Sequence, residues 1–284
     1  MREVVAGVDL TAMGRRVADR ARLIAEAHHT LLRLVHVAEP PGEAMIDPGL
    51  ARLMREHQTE SARELSEWCR SRSDVEVTLE VVKGSPSWEL TARAKKADLV
   101  VIGSSTIDAF TVGPTARRVA EMATSDALVV RRQPRVPYRR VIVAVDFSEA
   151  SRTAVVKAKT LFPDAEVTVL YSLPSRFDLV LSRAGLFAEE VDASRSYRLE
   201  AAADRMAEFT HSWNGALSTV VADGPPTETV EEVVRRRNAD LVVVGSRGAS
   251  ATRMVLLGTV AESLVAHAPC DVLVVRAGGQ FRRP

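Results

Sequence analysis

Residues 239–262 read ADLVVVGSRGASATRMVLLGTVAE, and the first nine of them have a near-twin at 97–105, ADLVVIGSS. In each, four large apolar residues run without polar alternation into a glycine. That is the pattern of a short strand covered on both faces, as strands of a parallel sheet are. Two further pairs frame this one: VVAGVD (4–9) with VIVAVD (141–146), and DALVVR (126–131) with DVLVVR (271–276). The offsets are 137, 142 and 145 residues. Three matches in the same order at slowly growing offsets imply a duplicated unit, with insertions in the second copy. The reading is therefore two domains, 1–135 and 136–284, joined in RRQPRVPYRR (131–140). There Pro134 and Pro137 interrupt regular structure, and five arginines predict a solvated linker. No aromatic or glycine-rich binding motif accompanies those arginines, which argues against a nucleic-acid patch.

Within the second copy, the apolar runs RVIVAVD, AEVTVLYS, LSTVVADG, DLVVVGS and DVLVVR alternate with amphipathic stretches of helical period. A βαβαβαβαβ alternation predicts an open, twisted, doubly wound α/β sheet with right-handed crossovers. Ligands of such sheets lie beyond the carboxyl ends of the strands. The 284 residues are 46% hydrophobic and 26% charged, as expected of two ordinary cores, and 38 basic side chains balance 37 acidic ones. With no global field to recruit nucleic acid or an anionic membrane, any binding has to be local. Cys69 and Cys270 have no metal or redox spacing, and Cys270 reads as a small buried hydrophobe. No apolar run is long enough for a signal peptide or a membrane span, so a cytoplasmic protein without membrane partners is expected.

The glycines after DLVVVG need a reason, because glycine costs about 1 kcal/mol relative to alanine inside a helix. Gly245 and Gly248 would let the backbone turn sharply and approach a bound group. Gly258-Thr259 opens the helix VAESLVAHA, whose first N–H groups and partial positive charge suit a phosphate. On spacing alone a turn and a helix cap explain the same glycines equally well.

Gly245, two residues, Gly248, nine residues, Gly258-Thr259 is similar to the G-x2-G-x9-G-[S/T] nucleotide motif of the universal stress protein (UspA) family. DLVVVGSRG before it and APCDVLVVR after it resemble that family's signatures. The resemblance covers the whole chain as a tandem pair. It implies two Rossmann-like domains, each with a five-stranded parallel sheet of order 3-2-1-4-5, some members binding ATP and others none. Carried over by position, it would put Gly245, Gly248, Gly258, Thr259 and Val260 around the phosphates and ribose. Asp146 would lie at the adenine edge, with Ala144, Ser172 and Val244 lining the adenine wall. ATP is the expected ligand, with magnesium an optional companion and no metal held by the protein itself.

Each assignment has a plainer competitor. Asp146 could bond loop N–H groups ahead of a helix capped by Ser148, and Arg253 could neutralise phosphate or be solvated. His36 and Tyr171, at matching second-strand ends, read as packing residues with satisfied polar tips. The first copy departs from the motif: counting back from DALVVR, Gly113 partners Gly258, the loop is three residues short, Thr106 stands where the second glycine belongs, and Pro114 replaces the hydroxyl residue. Asp9 remains, so an adenine-sized pocket without its phosphate cradle is expected there; one ATP site per chain is expected, in the second domain.

The function expected is a regulatory adenine-nucleotide module rather than an enzyme, since no paired carboxylates or nucleophile motif accompany the glycines. A slow ATPase or nucleotidyl transferase, and a scaffold needing no nucleotide, are the alternatives. DALVVR and DVLVVR are expected at sheet edges, pairing antiparallel within the chain, with two chains pairing again as a homodimer. The stretch 173–190 is either a lid or a long connection.

Overall fold

A computed structural model describes residues 1–38, 48–104, 112–173, 188–213, 216–246 and 257–276. The chain divides into two compact units, residues 1–137 with 265–284, and residues 138–264. The first contains β1 (Glu3–Gly7), α1 (Ala12–Ala27), β2 (Leu31–Ala38), α2 (Pro48–Arg70), β3 (Val77–Lys83), α3 (Pro86–Ala94), β4 (Leu99–Gly103), α4 (Pro114–Met122) and β5 (Asp126–Val130). The second contains β6 (Arg140–Val145), α5 (Glu149–Leu161), β7 (Glu166–Leu173), α6 (Ala188–Thr210), β8 (Ser218–Asp223), α7 (Pro226–Arg237) and β9 (Leu241–Gly245). Then follow α8 (Thr259–His267) and β10 (Asp271–Val275).

The first unit has the expected parallel order, β3-β2-β1-β4-β5. In the second unit the parallel order is β8-β7-β6-β9. The runs that read as two-sided strands are so: Val100, Val101, Val242 and Val243 are all 0% exposed. Residue 265 onward departs from the repeat boundary at 135/136. The last repeat strand, β10, pairs antiparallel with β5, Val272 opposite Val129 and Val274 opposite Ala127, and so belongs to the first compact unit. An apolar edge left open by the first copy is closed by hydrogen bonding that the sequence repeat does not reveal.

The aspartates that begin the repeated motifs have a shared task. The Asp240 carboxylate accepts the N–H groups of Arg139 (3.0 Å) and Arg140 (2.9 Å), and Asp98 accepts that of Arg2 (2.5 Å), so each fastens the start of its copy's first strand. Asp126 accepts from the N–H of Arg276 (2.9 Å), and Asp271 from those of Arg131 (2.8 Å) and Arg132 (3.0 Å). The arginine-rich joint is solvated as expected at Arg132, Arg135, Arg139 and Arg140, which are exposed, with Arg131 the exception. Arg131 is buried against Asp271 and the Val265 carbonyl, and Tyr138 packs its ring edge-on to Phe162 at 5.0 Å. Cys270 is buried as expected, and Cys69 is too, burial pushing its thiol up to about 12. Among the described residues no helix is long and apolar enough to cross a membrane.

Candidate functional site

In the second unit the expected residues converge at the carboxyl ends of β6, β7 and β9. Ala144 is paired in register with Val244, and Val145 with Tyr171, which brings Asp146, just past β6, beside Ser172 and Gly245 at the last residues of β7 and β9. The start of α8 is fastened to the same place: the Gly258 N–H donates to the Ser246 carbonyl at 2.8 Å. Gly258 is therefore not itself the free donor. The first intrahelical bond runs from the Glu262 N–H to the Gly258 carbonyl (2.8 Å), leaving the N–H groups of Thr259, Val260 and Ala261 without helical partners. Thr259 is exposed, so that end of the helix is open to a ligand. Gly248, Arg253 and residues 174–187 lie outside the described residues.

Asp146 performs the plainer role. Its Oδ1 accepts from the Ser148 N–H (3.1 Å) and hydroxyl (2.5 Å) and from the Ser151 hydroxyl, while Ser148 caps α5 as expected. The carboxylate is thus held in one orientation by a hydroxyl-rich turn, in which Phe147 takes a left-handed φ of 64°. Ser172 turns away from that turn: its hydroxyl donates to the Gly224 carbonyl (2.6 Å) and lies 3.3 Å from Thr229 Oγ1, so it joins β7 to the β8–α7 corner. Gly245 has a packing reason for lacking a side chain, because a Cβ there would lie 3.2 Å from the backbone carbon and Cβ of Ala150 at the start of α5. Its φ is not the cause; among the described glycines, Gly84 and Gly224 are the ones with positive φ.

The first unit repeats this framework with different chemistry. Asp9 Oδ1 accepts from the Thr11 N–H (3.0 Å) and hydroxyl (2.6 Å) and from the Gly14 N–H (2.9 Å), and the Gly113 N–H donates to the Ser104 carbonyl (2.5 Å). Pro114 at the first position of α4 supplies no N–H, as expected. A cavity of about 440 Å³ opens between the ends of β1, β2 and β4 and the start of α4. His36, read from sequence as a satisfied packing residue, is only half so: Nδ1 lies 3.0 Å from the Val8 carbonyl, while Nε2 is buried without a partner and the ring lines the cavity. The Ser104 hydroxyl, which lines it too, is likewise buried and unpartnered. Ser104 was missed because a serine after a strand glycine looks like turn chemistry. Tyr171, at the position matching His36, instead stacks on Phe147 with ring centres 4.4 Å apart.

The chain matches the universal stress protein family twice, over residues 1–131 and 137–276. A universal stress protein of Methanocaldococcus jannaschii is 28% identical over 143 residues, spanning 49% of this chain and 82% of the relative. A Staphylococcus aureus relative named for the same family is 29% identical over 144 residues, 50% of this chain and 86% of its own. Among solved structures, a universal stress protein of Archaeoglobus fulgidus superposes with a TM-score of 0.70 at 18% identity, covering 97% of this chain and 98% of that one, a likeness of fold. With both repeats matched and the strand order of the first copy as the family resemblance implies, the chain belongs to the universal stress protein family.

Proposed function

We propose that the second unit binds ATP and acts as a regulatory nucleotide module rather than as an enzyme. The observation that supports this most is the start of α8. Three successive N–H groups, Thr259 to Ala261, lack helical partners, and the Gly258–Ser246 bond fixes them beside the strand ends that carry Ala144, Val244 and Asp146. A helix start of this kind favours an anion by its partial charge and by directed donors. The Asp146 carboxylate, oriented by Ser148 and Ser151, is in place to accept from an exocyclic amine of a base lying on the Ala144–Val244 wall. The same bonds give Asp146 a holding role rather than that of a mobile general base, which favours binding over turnover.

The test is calorimetric titration of the full chain with ATP and magnesium, alongside phosphate release over hours. One equivalent bound without turnover, lost in Asp146→Ala, supports the reading; two equivalent sites or sustained hydrolysis refutes it. Pairing of two copies and residence in the cytoplasm accompany this proposal, and are checked by light scattering and cell fractionation.

A further inference from the structure

The amino ends of the second unit's strands hold a cavity that the candidate nucleotide site does not reach. About 140 Å³ lies at the starts of β6 and β7 and the end of α7, lined by Arg140, Glu166, Thr168 and Arg237 with Val141 and Ile142. The length of β6, about 17 Å at 3.3 Å per residue, separates it from Asp146. The volume is roughly five times a water's share of the liquid and falls below the ~300–1,000 Å³ typical of small-molecule sites. A single small ion fits; a nucleotide does not.

The first copy shows what this place holds when the chain neutralises itself. Val4 pairs with Leu32 and Val141 with Val167, so register makes Glu3 the counterpart of Arg140, Leu31 that of Glu166 and Arg33 that of Thr168. Glu3 accepts from Arg33 Nε at 2.6 Å, and the two charges cancel. In the second copy an arginine stands at the acid's position and a threonine at the arginine's. The internal pair is gone.

Among the described residues neither Arg140 nor Arg237 has a carboxylate partner, although Glu166 lines the same cavity. Arg140 Nε donates to the Asn238 carbonyl at 2.9 Å and Arg237 Nη1 to the Thr168 hydroxyl at 3.2 Å, so each guanidinium is held in place with further N–H groups unspent. Arg235 and Arg236, beside Arg237 on α7, are paired with Glu231 and Glu232, and Asp240 spends its carboxylate on the backbone N–H groups of Arg139 and Arg140. A basic residue in a helix's last turn suits its dipole, but that does not account for a second arginine, from β6, on the same cavity. Thr168 is 3% exposed, and its hydroxyl, having accepted from Arg237, keeps a hydrogen to donate.

Two guanidiniums and a hydroxyl make a donor set for a tetrahedral oxyanion. Glu166 adds selectivity. A carboxylate can only accept, so it repels an anion without hydrogens and receives one that carries an O–H. Inorganic phosphate keeps a hydrogen at neutral pH, whereas sulfate and the dianion of a phosphomonoester do not.

We infer that the second unit binds inorganic phosphate at the amino ends of β6 and β7, with Arg140, Arg237 and the Thr168 hydroxyl donating to its oxygens and Glu166 accepting from its P–OH. The inference does not depend on ATP binding at the carboxyl ends.

The experiment titrates the ¹⁵N-labelled full chain with inorganic phosphate, sulfate and methyl phosphate, following the backbone amide resonances of Thr168 and Ala239, which report this cavity and not the start of α8. Phosphate is expected to shift both saturably, with sulfate and methyl phosphate at least about tenfold weaker. Arg140→Gln and Arg237→Gln are each expected to weaken phosphate by about tenfold or more. Glu166→Gln, whose amide can donate, is expected to close the gap between sulfate and phosphate, a gain that a misfolded variant could not give. Gly258→Glu is expected to leave the shifts intact, separating failure here from failure of the ATP proposal. Resonances indifferent to tens of millimolar phosphate, an equal response of the wild type to sulfate, or unchanged phosphate binding in the folded arginine variants overturns the inference.

Discussion

Replacing Gly258 with glutamate puts the proposed phosphate seat under direct test. The Gly258 N–H is held by the Ser246 carbonyl at 2.8 Å, and a glutamate backbone can keep that bond. What changes is the space and charge in front of the Thr259, Val260 and Ala261 N–H groups. A phosphate held there gains two or three charge-assisted hydrogen bonds, each worth about 1.5–3 kcal/mol. Displacing even two removes about 3 kcal/mol, a hundredfold in affinity or more. The fold should be little affected. Gly258 is not among the described glycines with positive φ, loss of a favoured helix-cap residue costs about 1 kcal/mol, and a carboxylate near a helix start returns roughly 0.3–1 kcal/mol. ATP affinity by calorimetry and the melting temperature should be measured for wild type, Gly258→Glu and Gly113→Glu. The last alters the matching position in the first unit, ahead of Pro114, and should leave ATP affinity unchanged. A folded Gly258→Glu protein with wild-type ATP affinity refutes the phosphate role and leaves these glycines as turn and cap.

Asp271→Ala removes the acceptor of two backbone N–H groups and leaves Arg20, whose Nε lies 3.6 Å from Oδ2 with side chains 6% and 0% exposed, buried beside a lost charge. Urea unfolding should show a loss of about 3–5 kcal/mol, and a loss below about 1 kcal/mol would contradict the account. Gly14→Ala places a Cβ 1.9 Å from the Asp9 carbonyl oxygen, so the turn that holds Asp9 must shift; about 1–3 kcal/mol should be lost, and the same unfolding measurement checks it. The Arg93 guanidinium hydrogen-bonded to Glu80 holds that carboxyl below its ordinary value. A depressed carboxylate stabilises the fold above its unfolded pKa of about 4.3 and loses that contribution as pH falls through the folded value. The pair is partly exposed, so wild type should exceed Glu80→Gln by less than about 1 kcal/mol near neutrality, and melting curves of the two should converge as pH falls through the lowered folded value.

Much of the fold was legible because burial writes itself locally. A strand covered on both faces has to be apolar at successive positions, and LVVI and LVVV are such runs in both copies. The duplication, the cap at Ser148 and the burial of Cys270 followed from residues within a few positions of one another or from the repeat itself, whereas the strand order was what the family resemblance implied. Of the candidate residues, Ala144 and Val244 pair in register near the ends of β6 and β9, and Asp146 follows β6, because register carries position along a sheet once the strands are known.

What the sequence left open depends on partners distant along the chain. That Arg131 is buried and not wet follows from Asp271, 140 positions later, and that β10 closes the edge of β5 is a matter of pairing between strands the repeat treats as equivalents. Ser172 looked like a wall residue until the Gly224 carbonyl was found 2.6 Å from its hydroxyl. His36 and Tyr171 occupy the same repeat position, yet one stacks on an aromatic ring and the other leaves a nitrogen unpaired in a cavity. A sequence specifies which groups need partners; only the folded chain decides which of them find one.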